Sequence, residues 1–302
     1  MNKPLNSIHL TWGLVIAVMF GMTFASCNRL DIAGMVINRS DTEERVADWL
    51  DWNNQHDPIV INGVPDQYTF YSCSDTHIND DNSRLKAYIT AERNDPEAVF
   101  SILAGDIANE SGEHSYILCD SAMLFDPSSQ AEDDPCFPII GNHDVYFDCA
   151  KHFKNHFHTS TYAVTVNTVS GQQDLFLFLD SGNGTHGDRQ LRWLEEQLST
   201  WILYRHCFVI SHNWLFRTTY NPTTTPAANL PEDEQYAFMD LMSRNNVAMV
   251  IMGHFHHRET RYFNHVPYVM TDNLNDGAEA SYLVVRCTDT VTYEYRTLDQ
   301  EN

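Results

Sequence analysis

The chain has 302 residues, 43% of them apolar, with 16 Phe, 14 Tyr and 6 Trp, enough for one large domain or two small ones with a sizeable core. Its formal net charge of −23 disfavours loose binding to nucleic acid backbones, so no long nucleic acid is expected as a partner. The same charge repels anionic ligands, and an anion bound here needs local cations to hold it.

Residues 1–26 read as a signal peptide. Lys3 precedes an uncharged, mostly apolar run from Leu10 to Phe24, and Ala25-Ser26-Cys27 follows. The run is shorter than a comfortable membrane span and has the length of a signal-peptide core. Ending in small residues and a cysteine, it resembles a bacterial lipoprotein signal. That likeness implies an exported, membrane-anchored protein, periplasmic or at the cell surface, held by a lipid on Cys27. Phe24 departs from the aliphatic residue usual in that pattern. An ordinary cleaved secretory signal and an uncleaved anchor are the competing readings.

Residues 27–66 read as a tether and a short N-terminal helix. Ser40 with Glu43 resembles a capping box, opening a helix through about Gln55 with Val46, Trp49 and Leu50 on one face. Asp57 to Asp66, containing Pro58, Gly63 and Pro65, is expected to be a connecting loop. From there residues 67–302 form the main domain. Tyr68–Ser72, Ala98–Ala104, Phe137–Ile140, Leu175–Leu179, Cys207–Ile210 and Val247–Met252 are short apolar runs bounded by polar or Gly breaks, the pattern of strands buried on both faces. Helices are expected at Asn82–Arg93, Tyr146–Phe157, Asp188–Leu198 and Glu232–Arg244. Leu191, Trp193, Leu194 and Leu198 form the apolar stripe of the third, and Tyr236, Phe238, Met239 and Met242 that of the fourth. After Gly253 only strands are expected: Tyr268–Thr271, Tyr282–Arg286 and Val291–Tyr295. Among the cysteines, Cys73 and Cys207 sit in strand-like runs and read as buried thiols. Cys119, Cys136 and Cys149 lie nearer loops and are the better candidates for bridges in an exported protein.

Five short pieces carry metal-ligand side chains: Asp75-Thr76-His77, Gly105-Asp106, Gly141-Asn142-His143-Asp144, His212, and Gly253-His254-Phe255-His256. Each follows a predicted strand, and ligands at the carboxyl ends of strands converge on one edge of an α/β fold. The mixture of imidazoles and oxygens without cysteine suits two borderline divalent ions, Mn, Fe, Zn or Co, rather than a structural zinc. Gly105, Gly141 and Gly253 are expected to tolerate unusual backbone angles beside the ligands.

These motifs make the chain resemble the calcineurin-like metallophosphoesterase superfamily over about Tyr68 to Arg258: D-x-H, G-D-x-x-N ending at Asn109, G-N-H-D, a lone His and G-H-x-H, complete and in order. The resemblance implies an α/β fold, a two-sheet β-sandwich flanked by helices, and a phosphate-ester small molecule as substrate, mono- or diester. Asp75, His77 and His256 would bind the first metal, and Asn142, His212 and His254 the second, with Asp106 bridging. A water bridging both ions would attack phosphorus, with His143 as general acid, Asp144 orienting it and Asn109 supporting that side of the site. His77 and Asn109 stand where purple acid phosphatases carry other residues, which argues against that branch. The alternative is a non-catalytic metal-binding or scaffold protein on the same fold; such proteins usually lack ligands, and this chain lacks none.

Several residues compete for attention. His152 and His156, with His158 beyond, have zinc-like spacing but read better as a polar helix surface. His257 extends the last motif, towards substrate or solvent. Arg217 and Trp214 are candidate substrate contacts, weighed evenly against packing beneath a loop over Thr218–Pro231 that is either a lid or a surface excursion.

Overall fold

The structure, a computed structural model, describes residues 42–109, 112–123, 135–216, 230–275 and 280–298. The signal segment, Cys27, Ser40, Arg217 and most of the loop after it lie outside these residues. Among the described residues no helix is long and apolar enough to cross a membrane.

In chain order the elements are α1 (Thr42–Asn54), β1 (Ile59–Val64), β2 (Tyr68–Cys73), α2 (Ser83–Asn94), β3 (Ala98–Ala104), α3 (Glu113–Met123), β4 (Cys136–Ile139), a 3-10 turn (His143–Asp148) and α4 (Ala150–Phe157). Then come β5 (Tyr162–Thr168), β6 (Gln173–Phe178), α5 (Gly187–Leu198), β7 (His206–Ile210), α6 (Glu232–Arg244), β8 (Met249–Met252), β9 (Glu259–Phe263), β10 (Val266–Met270), β11 (Ser281–Cys287) and β12 (Val291–Thr297). Two sheets result, ordered β1-β5-β6-β7-β8-β10-β9 and β12-β11-β2-β3-β4. The motif-bearing strands are parallel within each sheet: β2, β3 and β4 in one, β7 and β8 in the other.

The expected sandwich is what forms. Inner faces meet through Phe70, Phe100, Phe137, Phe176, Phe178 and Phe208, with Phe70 stacked on Phe100 at 5.2 Å and edge-on to Phe176 at 5.1 Å. Offset and edge-to-face rings of this kind add to the burial of large apolar area. On the outer face of the five-stranded sheet a second core includes Tyr71, Tyr88, Tyr116, Phe153 and Tyr282. A third, on the seven-stranded sheet, includes Leu194, Leu198, Phe238 and Met242.

Four expectations fail locally. Asp57 to Asp66 is not all loop, because Ile59, Val60 and Ile61 pair with β5 as a parallel edge strand. Gly63, with φ +75°, coincides with a register shift that leaves the end of the strand bulged. The helix expected from Tyr146 begins only at Ala150, because Asp148, the last residue of the 3-10 turn, adopts a left-handed φ of +66°. On α6, Tyr236 faces solvent and Leu241 takes the buried place. Finally, Cys119, Cys136 and Cys149 form no bridge: all six cysteines after Cys27 are free, and Cys119 and Cys149 belong to the helix-side core.

The helix α1 is fixed to the domain by a buried ion pair. Arg45 donates from Nε to Asp180 Oδ2 (2.6 Å) and from Nη2 to Oδ1 (2.8 Å), and Trp49 Nε1 donates to Oδ2 (2.9 Å). Glu43 accepts from the Arg189 backbone N–H on α5 (3.1 Å). Burial opposes the charge on Asp180, but the Arg45 guanidinium holds its carboxyl below the usual range. Arg45→Met strands that carboxylate, so a loss of about 3–5 kcal/mol is expected in urea unfolding at neutral pH. A depressed carboxyl stabilises above its unfolded pKa and loses this as pH falls, while the stranded Asp180 of the variant escapes its penalty by taking a proton. The gap between the proteins therefore narrows on acidification; an equal gap at pH 7 and pH 4 would refute this account.

Candidate metal centre

All five motif pieces sit at strand ends. Asp75 follows β2, Asp106 follows β3, Asn142 follows β4, His212 follows β7 and His254 follows β8. Nine non-glycine residues among those described have positive φ, and five are predicted ligands: Asp75 (54°), His77 (42°), Asp106 (53°), His254 (86°) and His256 (56°). Such backbone costs about 1–3 kcal/mol each and persists where the surroundings dictate it, typically at functional sites. At Gly141 and Gly253 the reason for glycine is space rather than angle. A Cβ on Gly141 would lie 2.2 Å from Asp106 Oδ1, and one on Gly253 would lie 2.6 Å from Ser74 Oγ.

The side chains form three groups: Asp75, His77 and His256; His77, Asp106 and His143; Asp106, His212 and His254. His256 Nε2 lies 3.0 Å from His77 Nε2 and 3.2 Å from Asp75 Oδ1. Asn142 Oδ1 is 2.8 Å from His254 Nδ1 and 3.2 Å from His212 Nε2, which is 3.2 Å from Asp106 Oδ2. Ligand atoms each about 2.0–2.2 Å from one cation stand roughly 3 Å apart, so these spacings fit divalent ions. Asp75 Oδ1, buried, has no hydrogen-bond donor, an arrangement that costs free energy unless a cation faces it. Asp106 Oδ1 accepts the His143 backbone N–H (2.7 Å), and its Oδ2 faces both His212 and, at 3.9 Å, His77.

The electrostatics agree with this fit. Burial opposes charge on Asp75 and Asp106, yet the neighbouring imidazoles, His256 and His212 for the first, His212 and His143 for the second, hold both carboxyls below their ordinary range. Burial pushes His77 down to about 4 and His254 down to about 3, leaving their rings neutral and able to ligate at pH 7. His212 goes the other way: burial is overcome by Asp106 and its pKa is pushed up to about 10. Its Nδ1 donates to the Ala104 carbonyl (2.8 Å), which turns Nε2 towards Asp106.

His143 is placed differently from the other imidazoles. Its Nδ1 faces the Asn109 backbone carbonyl at 3.0 Å; a carbonyl only accepts, so Nδ1 carries hydrogen and Nε2 is the exchangeable atom. Asn109 thus reaches His143 through its main chain. Asp144 does not orient the ring as expected. Its two oxygens are filled by Ala108 N–H (2.9 Å), Ile107 N–H (3.2 Å), Gly141 N–H (2.8 Å) and Tyr116 Oη (2.9 Å), so it ties the loops after β3 and β4 together. Burial and nearby Asp106 push its carboxyl up.

Trp214 is no substrate contact. It is 1% exposed and packs in the core with Leu215 and Phe216, because the chain after His212 turns inward. Arg217 lies outside the described residues. His156 pairs with Asp120 and His158 stacks on Trp52 (5.6 Å), so the histidines of α4 form no metal group among the described residues. His257 Nε2 pairs with Glu259 at 3.2 Å. Sequence reasoning missed Tyr146, whose hydroxyl accepts from Asn142 Nδ2 (3.2 Å) and whose ring lies 5.0 Å from His143. The four-residue spacing from Asn142 was the available signal.

A sandwich with this ligand-bearing edge defines a metallophosphoesterase. The chain belongs to the calcineurin-like phosphoesterase family, whose pattern matches residues 68–258. No curated protein matches it. Similar solved structures include a dimetal phosphatase from Danio rerio, 12% identical with TM-score 0.58, covering 80% of this chain and 97% of that one. GAP50, the anchor in the inner membrane complex of Plasmodium, is 12% identical with TM-score 0.58 over 78% of this chain and 86% of that one. A purple acid phosphatase from yellow lupin seeds is 10% identical with TM-score 0.60, covering 79% of this chain and 53% of that one. At these identities the likeness is one of fold.

Proposed function

We propose that this protein hydrolyses small phosphate esters at a two-cation centre, outside the purple acid phosphatase branch, and is exported and held at a membrane by a lipid on Cys27. The observation that carries the chemistry is the position of Asp106, whose Oδ2 faces the ligands on both sides. Asp75, His77 and His256 hold one ion; Asn142, His212 and His254 hold the other; Asp106 serves both. Divalent cations bound there supply Lewis acidity and a water acidic enough to be a nucleophile near neutral pH. His143, anchored at Nδ1 by the Asn109 carbonyl, presents Nε2 to protonate the leaving oxygen. Asp144 keeps the two loops that carry Asp106 and His143 in register. Anchoring rests on the Ala25-Ser26-Cys27 sequence, and mass analysis of the membrane-extracted protein tests it.

The chemistry is tested with p-nitrophenyl phosphate and bis-p-nitrophenyl phosphate under added Mn, Fe, Zn or Co. Release of p-nitrophenol that a chelator abolishes is expected, and the ratio of the two rates assigns mono- or diester preference. No turnover with any metal or ester sinks the proposal and leaves the non-catalytic scaffold.

A further inference from the structure

We propose that Thr271–Asn275 is a sixth strand-end segment of the metal centre, one that supplies no ligand but positions all three members of the Asp75–His77–His256 group. The inference rests on the metal-binding reading above. Segment and ligands meet because β10 runs parallel beside β8, with Met270 opposite Met252, so both strands end on the same edge. The chain leaving β10 then bridges back to Ser74 through Asn273, and Leu274 N–H donates to the Ser74 carbonyl (3.2 Å).

His77 and His256 are each reached directly, and Asp75 through Ser74. Thr271 Oγ1 lies 2.6 Å from Ser74 Oγ, and the Ser74 hydroxyl donates to Asp75 Oδ2. Since Ser74 has one hydrogen and gives it to the carboxylate, Thr271 is the donor of the hydroxyl pair, with the Met252 carbonyl 3.1 Å away as a second acceptor. His254 N–H also donates to Asp75 Oδ2 (3.0 Å), so that oxygen is fully engaged and Oδ1 is left for a cation. The Asn273 amide reaches His256 Nδ1 at 3.1 Å, on the far side of the ring from the Nε2 that faces Asp75. Asn275 Nδ2 donates to the His77 carbonyl (3.4 Å). Ser74, Thr271 and Asn273 are all buried, where such bonds are shielded from water. Asp75, His77 and His256 also hold left-handed backbone, which needs outside support of this kind. Groups behind the ligands commonly alter metal affinity 10- to 100-fold, to order of magnitude. The bonds described for this segment run to the Asp75, His77 and His256 group, so the effect should fall on one ion.

The test is calorimetric titration of metal-free protein with Mn alone, alongside thermal melting of the metal-free forms. Thr271→Val keeps the shape of the side chain and removes its donor; Thr271→Ser keeps the donor; Asn273→Ala removes the amide. Thr271→Val and Asn273→Ala should bind one of two Mn ions about 10- to 100-fold more weakly, leave the other unchanged, and melt with the wild type. Thr271→Ser should bind as wild type. Wild-type affinity at both sites in both variants overturns the proposal, as does equal weakening of both sites with a lowered melting temperature. A wild-type protein that takes up no Mn, Fe, Zn or Co overturns the metal-binding reading itself.

Discussion

Asp106→Ala should lose both metal ions and lower phosphoesterase turnover by roughly 1000-fold or more, the largest effect expected of any single substitution. Its Oδ2 stands 3.2 Å from His212 and 3.9 Å from His77. Without it each ion loses a ligand, and the two cations lose the negative charge between them that offsets their repulsion. A pair of ions contributes several kcal/mol to charge stabilisation in the transition state, and 1.36 kcal/mol is tenfold in rate, which gives that order of magnitude. Asp106→Asn separates charge from shape. The amide oxygen still accepts the His143 N–H, so the loop after β4 keeps its place, yet metal should still be lost. Metal content after gel filtration, read with the melting curve of the metal-free protein, decides the matter. A folded Asp106→Ala that retains two ions per chain would show that the carboxylate bridges nothing.

The sequence carried the site better than it carried the elements around it. Ligands at strand ends are marked twice, by a short apolar run and by the His, Asp or Asn just beyond it. The five motif strands were therefore legible to within a residue or two, as with Ala98–Ala104, where expectation and structure coincide. β5 was not legible, since Ala163, Thr165 and Asn167 alternate with buried Tyr162, Val164 and Val166 and break up the apolar run that marked the others. β1 was hidden by Pro58 and Pro65, turn formers that here bracket an edge strand, and by Gly63 within it. α3 buries Ser115, Tyr116, Cys119 and Ala122, a face too small and polar to announce a helix. At the site, ligand identity is a property of residue type and spacing, but the contacts made by Asp144 and Asn109 are not. Asp144 ends among backbone N–H groups from a loop 36 residues earlier, and Asn109 acts through its carbonyl, which every residue has. Thr271 and Asn273 were invisible for the same reason: residues that hold ligands from behind carry no spacing of their own.

His143→Ala is the second large effect, and it tests mechanism rather than occupancy. The backbone N–H that binds Asp106 survives in alanine, and the ring is absent from both proposed ligand sets, so both ions should stay bound. What disappears is the Nε2 proton. A general acid is worth about 10²- to 10⁴-fold, and that worth depends on how basic the departing oxygen is. An alkoxide leaving group needs the proton as the P–O bond breaks and should show the full loss. p-Nitrophenolate is a far weaker base, leaves without help, and should show much less. The variant's rates across esters of graded leaving-group basicity should therefore fall more steeply than those of the wild type. Two results would overturn the assignment. Loss of an ion from His143→Ala would make the residue a ligand, and an equal loss for aryl and alkyl esters would make it a group that stabilises charge on phosphorus rather than a proton donor.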